Sequence, residues 1–169
     1  DTQIDGNLTT KFQRDDMTAF CYVQSTSGQN FSGATLMGTR DSVSGGVLIN
    51  YVDAGFTLAA ASAGTLVTEQ VNGTSNDKFY GVTRFGPAGN QSILAREGVN
   101  TTLAALADAG AYTFNPIFVG GYNTNGAIQP IGTIGTQNHT AWGVGGGLTS
   151  AQLSNLDTAI STYMVARGI

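Results

Sequence analysis

Proton-transfer chemistry in this chain would have to run through very few side chains. His139 is the only histidine, Glu69 and Glu97 are the only glutamates, and Cys21 is the only cysteine. A Ser-His-Asp triad would need His139, because the imidazole is the base that takes the serine proton. That residue sits in Gln137-Asn138-His139-Thr140, a polar stretch expected just ahead of a strand, where a surface or turn histidine is the ordinary reading. The nearest approach to a G-x-S-x-G elbow, Ala60-Ala61-Ser62-Ala63-Gly64, lacks its first glycine. One His and one Cys cannot close a zinc site. Glycoside hydrolysis needs two convergent carboxylates. Glu69 and Glu97 lie on well-separated segments, and no acids alternate with E-x-D-x-E spacing. Asp15-Asp16 and the single aspartates read as turn formers and as groups at strand starts. No enzyme is expected.

Anion and metal loops fare little better. Gly143-Val144-Gly145-Gly146-Gly147-Leu148 invites a phosphate-loop reading, but Leu148 stands where the third glycine of G-x-G-x-x-G belongs, and no Walker lysine follows. A strand-to-helix connection is expected there. Calcium is left open by the abundance of oxygen donors, yet no D-x-[DN]-x-[DN]-G run occurs, and Asp41, Asp53 and Asp77 are isolated carboxylates. No cofactor is expected. Six N-x-[ST] sequons, at Asn7, Asn30, Asn72, Asn90, Asn100 and Asn138, matter only in a eukaryotic secretory pathway.

Recognition of a neutral polymer is the chemistry these residues suit. Sugars are bound by amides and hydroxyls that hydrogen-bond hydroxyl groups, with an aromatic face stacked on the ring; charge is not essential. Tyr122-Asn123-Thr124-Asn125-Gly126 offers an aromatic flanked by amides. Tyr122, Asn123 and Asn125 are therefore candidate ligand contacts, with Arg40 and Asp41 as further candidates. Tyr80 and Trp142 are other available aromatics, although Trp142, alternating with Thr140 and Val144, reads as core.

The elements that must position these residues are strands. Charged residues form 11% of the 169-residue chain, against about 25% in an average soluble domain. Gly reaches 24 and Thr 22, with only two Lys. A helical bundle lacks the Glu and Lys its outer faces need. Disorder is excluded by 41% apolar residues and a net charge of −4. A pI near 4.6 with dispersed cations leaves no footprint for nucleic acid. No run of eighteen apolar residues exists, so no membrane-spanning helix is expected. Short apolar runs separated by turn signals predict strands at Met17–Gln24, Gly33–Thr39, Gly46–Tyr51, Gly55–Ala61, Thr65–Val71 and Lys78–Phe85. Further strands are expected at Gln91–Ala95, Val99–Leu106, Pro116–Tyr122, Ala127–Thr133 and Thr140–Val144. The links carry signals such as Asn72-Gly73, suited to a turn with φ > 0. Such spacing predicts an all-β antiparallel sandwich or barrel in one domain, 1–169.

The C-terminal segment breaks the pattern. Thr149-Ser150-Ala151-Gln152 has the form of a capping box. Leu153, Leu156, Ile160 and Tyr163/Met164 then recur on one helical face, with Gln152, Asn155, Asp157 and Thr158 opposite. Arg167 would complement the dipole and Gly168 would end the helix. One helix is predicted near Ser150–Arg167, packed on the sheet. Cys21, in Phe20-Cys21-Tyr22-Val23, is expected as a buried apolar residue, with no intrachain disulfide available. The chain opens at Asp1 with neither an initiator Met nor a signal peptide, which suggests an excised piece of a larger protein.

The last third resembles a known ending. Residues 116–126, Pro-Ile-Phe-Val-Gly-Gly-Tyr-Asn-Thr-Asn-Gly, match a strand leading into a G-x-x-N-x-x-G turn. Trp142-Gly143-Val144-Gly145-Gly146-Gly147-Leu148-Thr149-Ser150-Ala151-Gln152 matches a late strand reaching G-x-G-L-[ST]-x-x-[EQ] and a closing helix. This is similar to the concanavalin A-like, laminin-G-like jelly rolls of bacteriophage and bacterial surface proteins. Met17–Val23, Leu36-Met37-Gly38-Thr39-Arg40-Asp41 and Lys78–Arg84 resemble that family's early strand, its L-x-G-x-R-D step and its middle strand. The resemblance is specific over about 116–168. It implies a jelly roll of two antiparallel sheets with a C-terminal α-helix, without clear counterparts of the calcium ligands of its members. The expected function is a noncatalytic carbohydrate-binding or adhesion module of a phage tail or fibre protein, on a virion or extracellular surface, recognising a cell-surface polysaccharide. The alternative is a structural virion or surface module that assembles as a homo-oligomer, such as a trimer, or with other virion proteins.

Overall fold

The fold is a computed structural model that describes residues 2–4, 16–25, 35–41, 45–52, 55–62, 65–71, 78–85, 91–96, 99–103, 117–119, 122–124, 127–129 and 137–169. These residues are mostly β, with one C-terminal helix. The strands are β1 (Thr2–Ile4), β2 (Met17–Ser25), β3 (Thr35–Asp41), β4 (Gly45–Val52), β5 (Gly55–Ser62), β6 (Thr65–Val71) and β7 (Lys78–Phe85). They continue with β8 (Gln91–Arg96), β9 (Val99–Leu103), β10 (Ile117–Val119), β11 (Tyr122–Thr124), β12 (Ala127–Gln129) and β13 (Gln137–Gly145). The helix α1 runs Ser150–Ala166. One set of strands pairs in the order β13-β2-β7-β8-β9. The other pairs as β1-β10-β3-β4-β5-β6, with β11 and β12 joined to it through β3.

Most expected strands agree with observed ones to within a residue or two. Four differences are informative. β1 was not expected. β13 begins at Gln137, so His139 lies inside the strand and not ahead of it. Of the expected strands Val99–Leu106 and Ala127–Thr133, residues 104–106 and 130–133 fall outside the described residues. The single strand expected over Pro116–Tyr122 is two. β10 pairs antiparallel with β3 (Phe118 opposite Gly38), whereas β11 pairs parallel with it (Tyr122 opposite Gly38). The chain therefore reverses direction between Val119 and Tyr122, a change that apolar periodicity cannot reveal because it carries no information on strand direction.

The antiparallel ladder β13-β2-β7 holds a core in which β2 and β7 alternate regularly, while β13 shifts register against β2 between His139 and Ala141. On one face, Tyr22 and Phe79 stand opposite each other and are buried with Leu153 and Met164 of α1. Phe20, Phe85, Ala141, Leu148, Leu156, Ile160 and Ile169 pack around this cluster. The Phe20 and Phe79 rings stack at a centroid distance of 5.5 Å. Gly81 lets the helix approach, since a Cβ there would lie 2.9 Å from the Phe79 ring and 3.3 Å from Leu153. The other face carries Met17, Ala19, Cys21 and Val23 of β2, then Tyr80, Val82 and Arg84 of β7. Every one of these side chains is buried too. Arg84 is wholly inaccessible to solvent and engaged by other groups of the protein. β2 and β7 are thus covered on both faces, and α1 accounts for only one cover.

The helix is closed by the capping box and the glycine its sequence predicts, whereas Arg167, expected in the last turn, is the C-cap. Thr149 accepts from the Gln152 backbone N–H at 3.4 Å, while the Thr149 N–H donates to Gln152 Oε1 at 2.9 Å. At the other end, Ile169 N–H donates to the Met164 carbonyl and Gly168 N–H to that of Val165, with Gly168 at φ 75°. This is the Schellman arrangement, and Ile169 supplies its apolar contact. Two expectations for the helix faces change. Met164 is buried while Tyr163 is 58% exposed, so the inward stripe passes through Met164. Asp157, expected on the outer face, is buried, because it lies one turn after Leu153 on the inward side. Its Oδ1 accepts from the Ser161 hydroxyl at 3.0 Å.

Candidate functional site

The candidate contacts lie about eighty residues apart in sequence and meet through one ladder. In the parallel pairing of β11 with β3, Tyr122 stands opposite Gly38, Asn123 opposite Thr39 and Thr124 opposite Arg40. Asp41 ends β3 and pairs with Gly45, where β4 begins. Thr124 ends β11 and pairs with Ala127, where β12 begins. Parallel strands finish at the same end of a sheet. The chain therefore leaves β3 after Asp41 and β11 after Thr124 at one common rim, and both hairpins return from it. Asn125 lies outside the described residues. Because ladder positions alternate between faces, Tyr122 and Arg40 occupy positions of one parity, and Asn123 and Asp41 those of the other.

The other two aromatic candidates trade places. Tyr80 is 2% exposed and belongs to the buried second face of β7, so it has no ring face to offer a ligand. Trp142, expected as core, is 39% exposed. Its cross-strand neighbour Cys21 is completely buried. The difference follows position in the described strand order: Cys21 lies on β2, between β13 and β7, whereas Trp142 lies on β13 at the end of that order. Alternation with Thr140 and Val144 marks the face that Trp142 belongs to but carries no information about its distance from the sheet edge.

The glycine-rich stretch before α1 is used internally. The Gly147 N–H donates to Asp16 Oδ1 at 2.7 Å, so the backbone donor a phosphate would seek already serves a carboxylate. Thr83 holds the next residue. Its hydroxyl accepts from Leu148 N–H at 2.7 Å and lies 3.0 Å from the Leu148 carbonyl, 3.2 Å from that of Met17 and 2.8 Å from the Thr18 hydroxyl. Asn100 joins the helix start to β9, donating from Nδ2 to the Ser150 carbonyl and hydroxyl at 2.8 Å and to the Ser154 hydroxyl at 2.9 Å. In the sequence Asn100 reads as a sequon within a strand, and Thr83 as an ordinary strand residue. Long-range hydrogen bonds of this kind leave no local pattern.

Among the described residues, no group of three His, Cys, Asp or Glu side chains could hold a metal ion. Complete burial pushes the Cys21 thiol far above its ordinary range, keeping it protonated and inert. No described helix is long and apolar enough to cross a membrane. No protein-family model matches the chain, and no curated protein matches it.

Proposed function

We propose that this chain is a single jelly-roll domain that binds a neutral surface glycan without catalysis, through the rim shared by β3 and β11. The jelly-roll reading is supported by the buried second face of β2 and β7. Met17, Ala19, Cys21, Val23, Tyr80 and Val82 need an apolar cover that α1 does not supply, and the β3-containing sheet is the available one. The two sheets then stack as a sandwich, with binding loops at its ends. The binding reading is carried by one observation: the parallel β11–β3 ladder brings Tyr122 and Asn123 beside the end of β3, where Arg40 and then Asp41 stand. With Tyr122 and Arg40 at positions on one face of the ladder and Asn123 and Asp41 on the other, a sugar held at the rim would stack on the aromatic ring on one side and hydrogen-bond the amide across the edge. Asn125 follows directly in sequence. A phage tail or fibre protein at a virion or extracellular surface is the setting that fits the resemblance of its last third, with a cell-surface polysaccharide as the partner. No cofactor is required for this chemistry.

A glycan array probed with the wild-type chain and with Tyr122→Ala tests this reading. Binding to at least one surface polysaccharide, lost in the variant while the thermal midpoint is kept, is the expected result. Failure of the wild type to bind any polysaccharide overturns it.

A further inference from the structure

We infer that Gln129 reads the hydroxyl pattern of the sugar unit that stacks on Tyr122, so that this amide selects among neutral hexoses. The inference rests on the binding role proposed for the β3–β11 rim and adds to it a residue from a third strand. β12 pairs antiparallel with β11, with Tyr122 opposite Gln129 and Thr124 opposite Ala127. One row across the sheet therefore runs Gly38, Tyr122, Gln129. The next row toward the rim runs Arg40, Thr124, Ala127. Directly paired residues share a face, and so do residues two apart on one strand. All six positions lie on one side of the sheet.

Burial distinguishes the two sides. Met37 is completely buried, and Val119, which pairs with it, is 9% exposed. From Met37 the buried side continues through Thr39 to Asp41, with Asn123 opposite Thr39. The Tyr122 row is on the other side, which carries the exposed Ala127. There Tyr122 has two cross-strand neighbours. Gly38 brings no functional group, so Gln129 is the neighbour able to hydrogen-bond a sugar lying on the ring. Asn123 meets that sugar only across the edge, whereas Gln129 stands on the ring's own side. Paired antiparallel positions hold their Cβ atoms about 4.5–5.5 Å apart, close enough for one sugar unit to meet both residues. The two do different work. An aromatic ring meets the apolar face of a pyranose however its hydroxyls are set. An amide has a carbonyl acceptor and an NH₂ donor, which match a pair of adjacent hydroxyls and respond to their orientation.

Calorimetric titration of wild type, Tyr122→Ala and Gln129→Leu with a soluble glucan, mannan and galactan of matched linkage tests the inference. The three polymers are built on hexoses that differ in the orientation of single hydroxyls. The wild type is expected to rank them, and Tyr122→Ala should weaken all of them alike. Gln129→Leu should weaken the best of them about three- to tenfold, the worth of one neutral hydrogen bond, and bring the affinities together. The thermal midpoint should stay unchanged. Gln129→Glu, which keeps an acceptor and loses the donors, should also abolish the ranking. A Gln129→Leu protein that keeps the wild-type ranking overturns the inference and leaves the rim's binding role standing. So does equal weakening of all three polymers, which is what a purely structural role would give. A wild type that binds none of the three also overturns the inference, whereas the binding role itself falls only if the wider glycan array is empty too.

Discussion

The junction of β13, β2, β7 and α1 and the rim shared by β3 and β11 are both made by bringing distant residues together, but by different means. At the junction, side chains do the joining: Leu153 and Met164 enter an aromatic cluster, and Thr83, Asp16 and Asn100 fasten the start of the helix. At the rim, the joining is done by backbone, through a parallel ladder whose register sets Thr124 beside Arg40. The lesson is a division of labour. A junction held by specific side chains tolerates few substitutions and sets stability. Backbone pairing sets a register whatever the residue types, so under the proposed binding role the residue types at the rim are what would select the ligand.

Substitutions at the junction should therefore lower stability without altering recognition. Leu153→Ala removes the helix residue that meets Phe79 and Tyr22 and should cost about 2–5 kcal/mol, read as a large fall in thermal midpoint. Under the proposed binding role, polysaccharide binding well below that midpoint should persist; a loss of binding by folded protein would erase the distinction between the two regions. Thr83→Val keeps the side-chain shape but strips the Leu148 N–H of its acceptor. About 1–3 kcal/mol is the expected cost by chemical denaturation. Thr149→Ala removes only the N-cap and should cost about 1 kcal/mol, a shift of a few degrees. A larger loss for the cap than for Leu153 would mean that the helix depends on its end more than on its packing.

How much of this was legible in the sequence follows from the range of each interaction. β6 and β7 are observed at their expected bounds, because alternation and turn residues are local signals. The helix start was legible from Thr149 and Gln152, three residues apart, and its end from Gly168. The opposite directions of β10 and β11 were not, since orientation is decided by pairing with β3 some eighty residues away. Nor was the burial of Asp157 or the exposure of Trp142. Polarity placed one outside and hydrophobicity placed the other inside, and in both cases position within the fold prevailed. Tyr122, Asn123, Arg40 and Asp41 were chosen as separate candidates by residue type. Their common rim belongs to tertiary structure.

The claim that β3 and β11 build one site is tested most directly by a double-mutant cycle. The polysaccharide bound most tightly by the wild type would be titrated calorimetrically against wild type, Tyr122→Ala, Arg40→Ala and the double variant. Residues acting on one ligand through one site should show a coupling energy of about 0.5–3 kcal/mol. Strictly additive losses, or affinity unchanged in both single variants, would contradict a shared site at that rim.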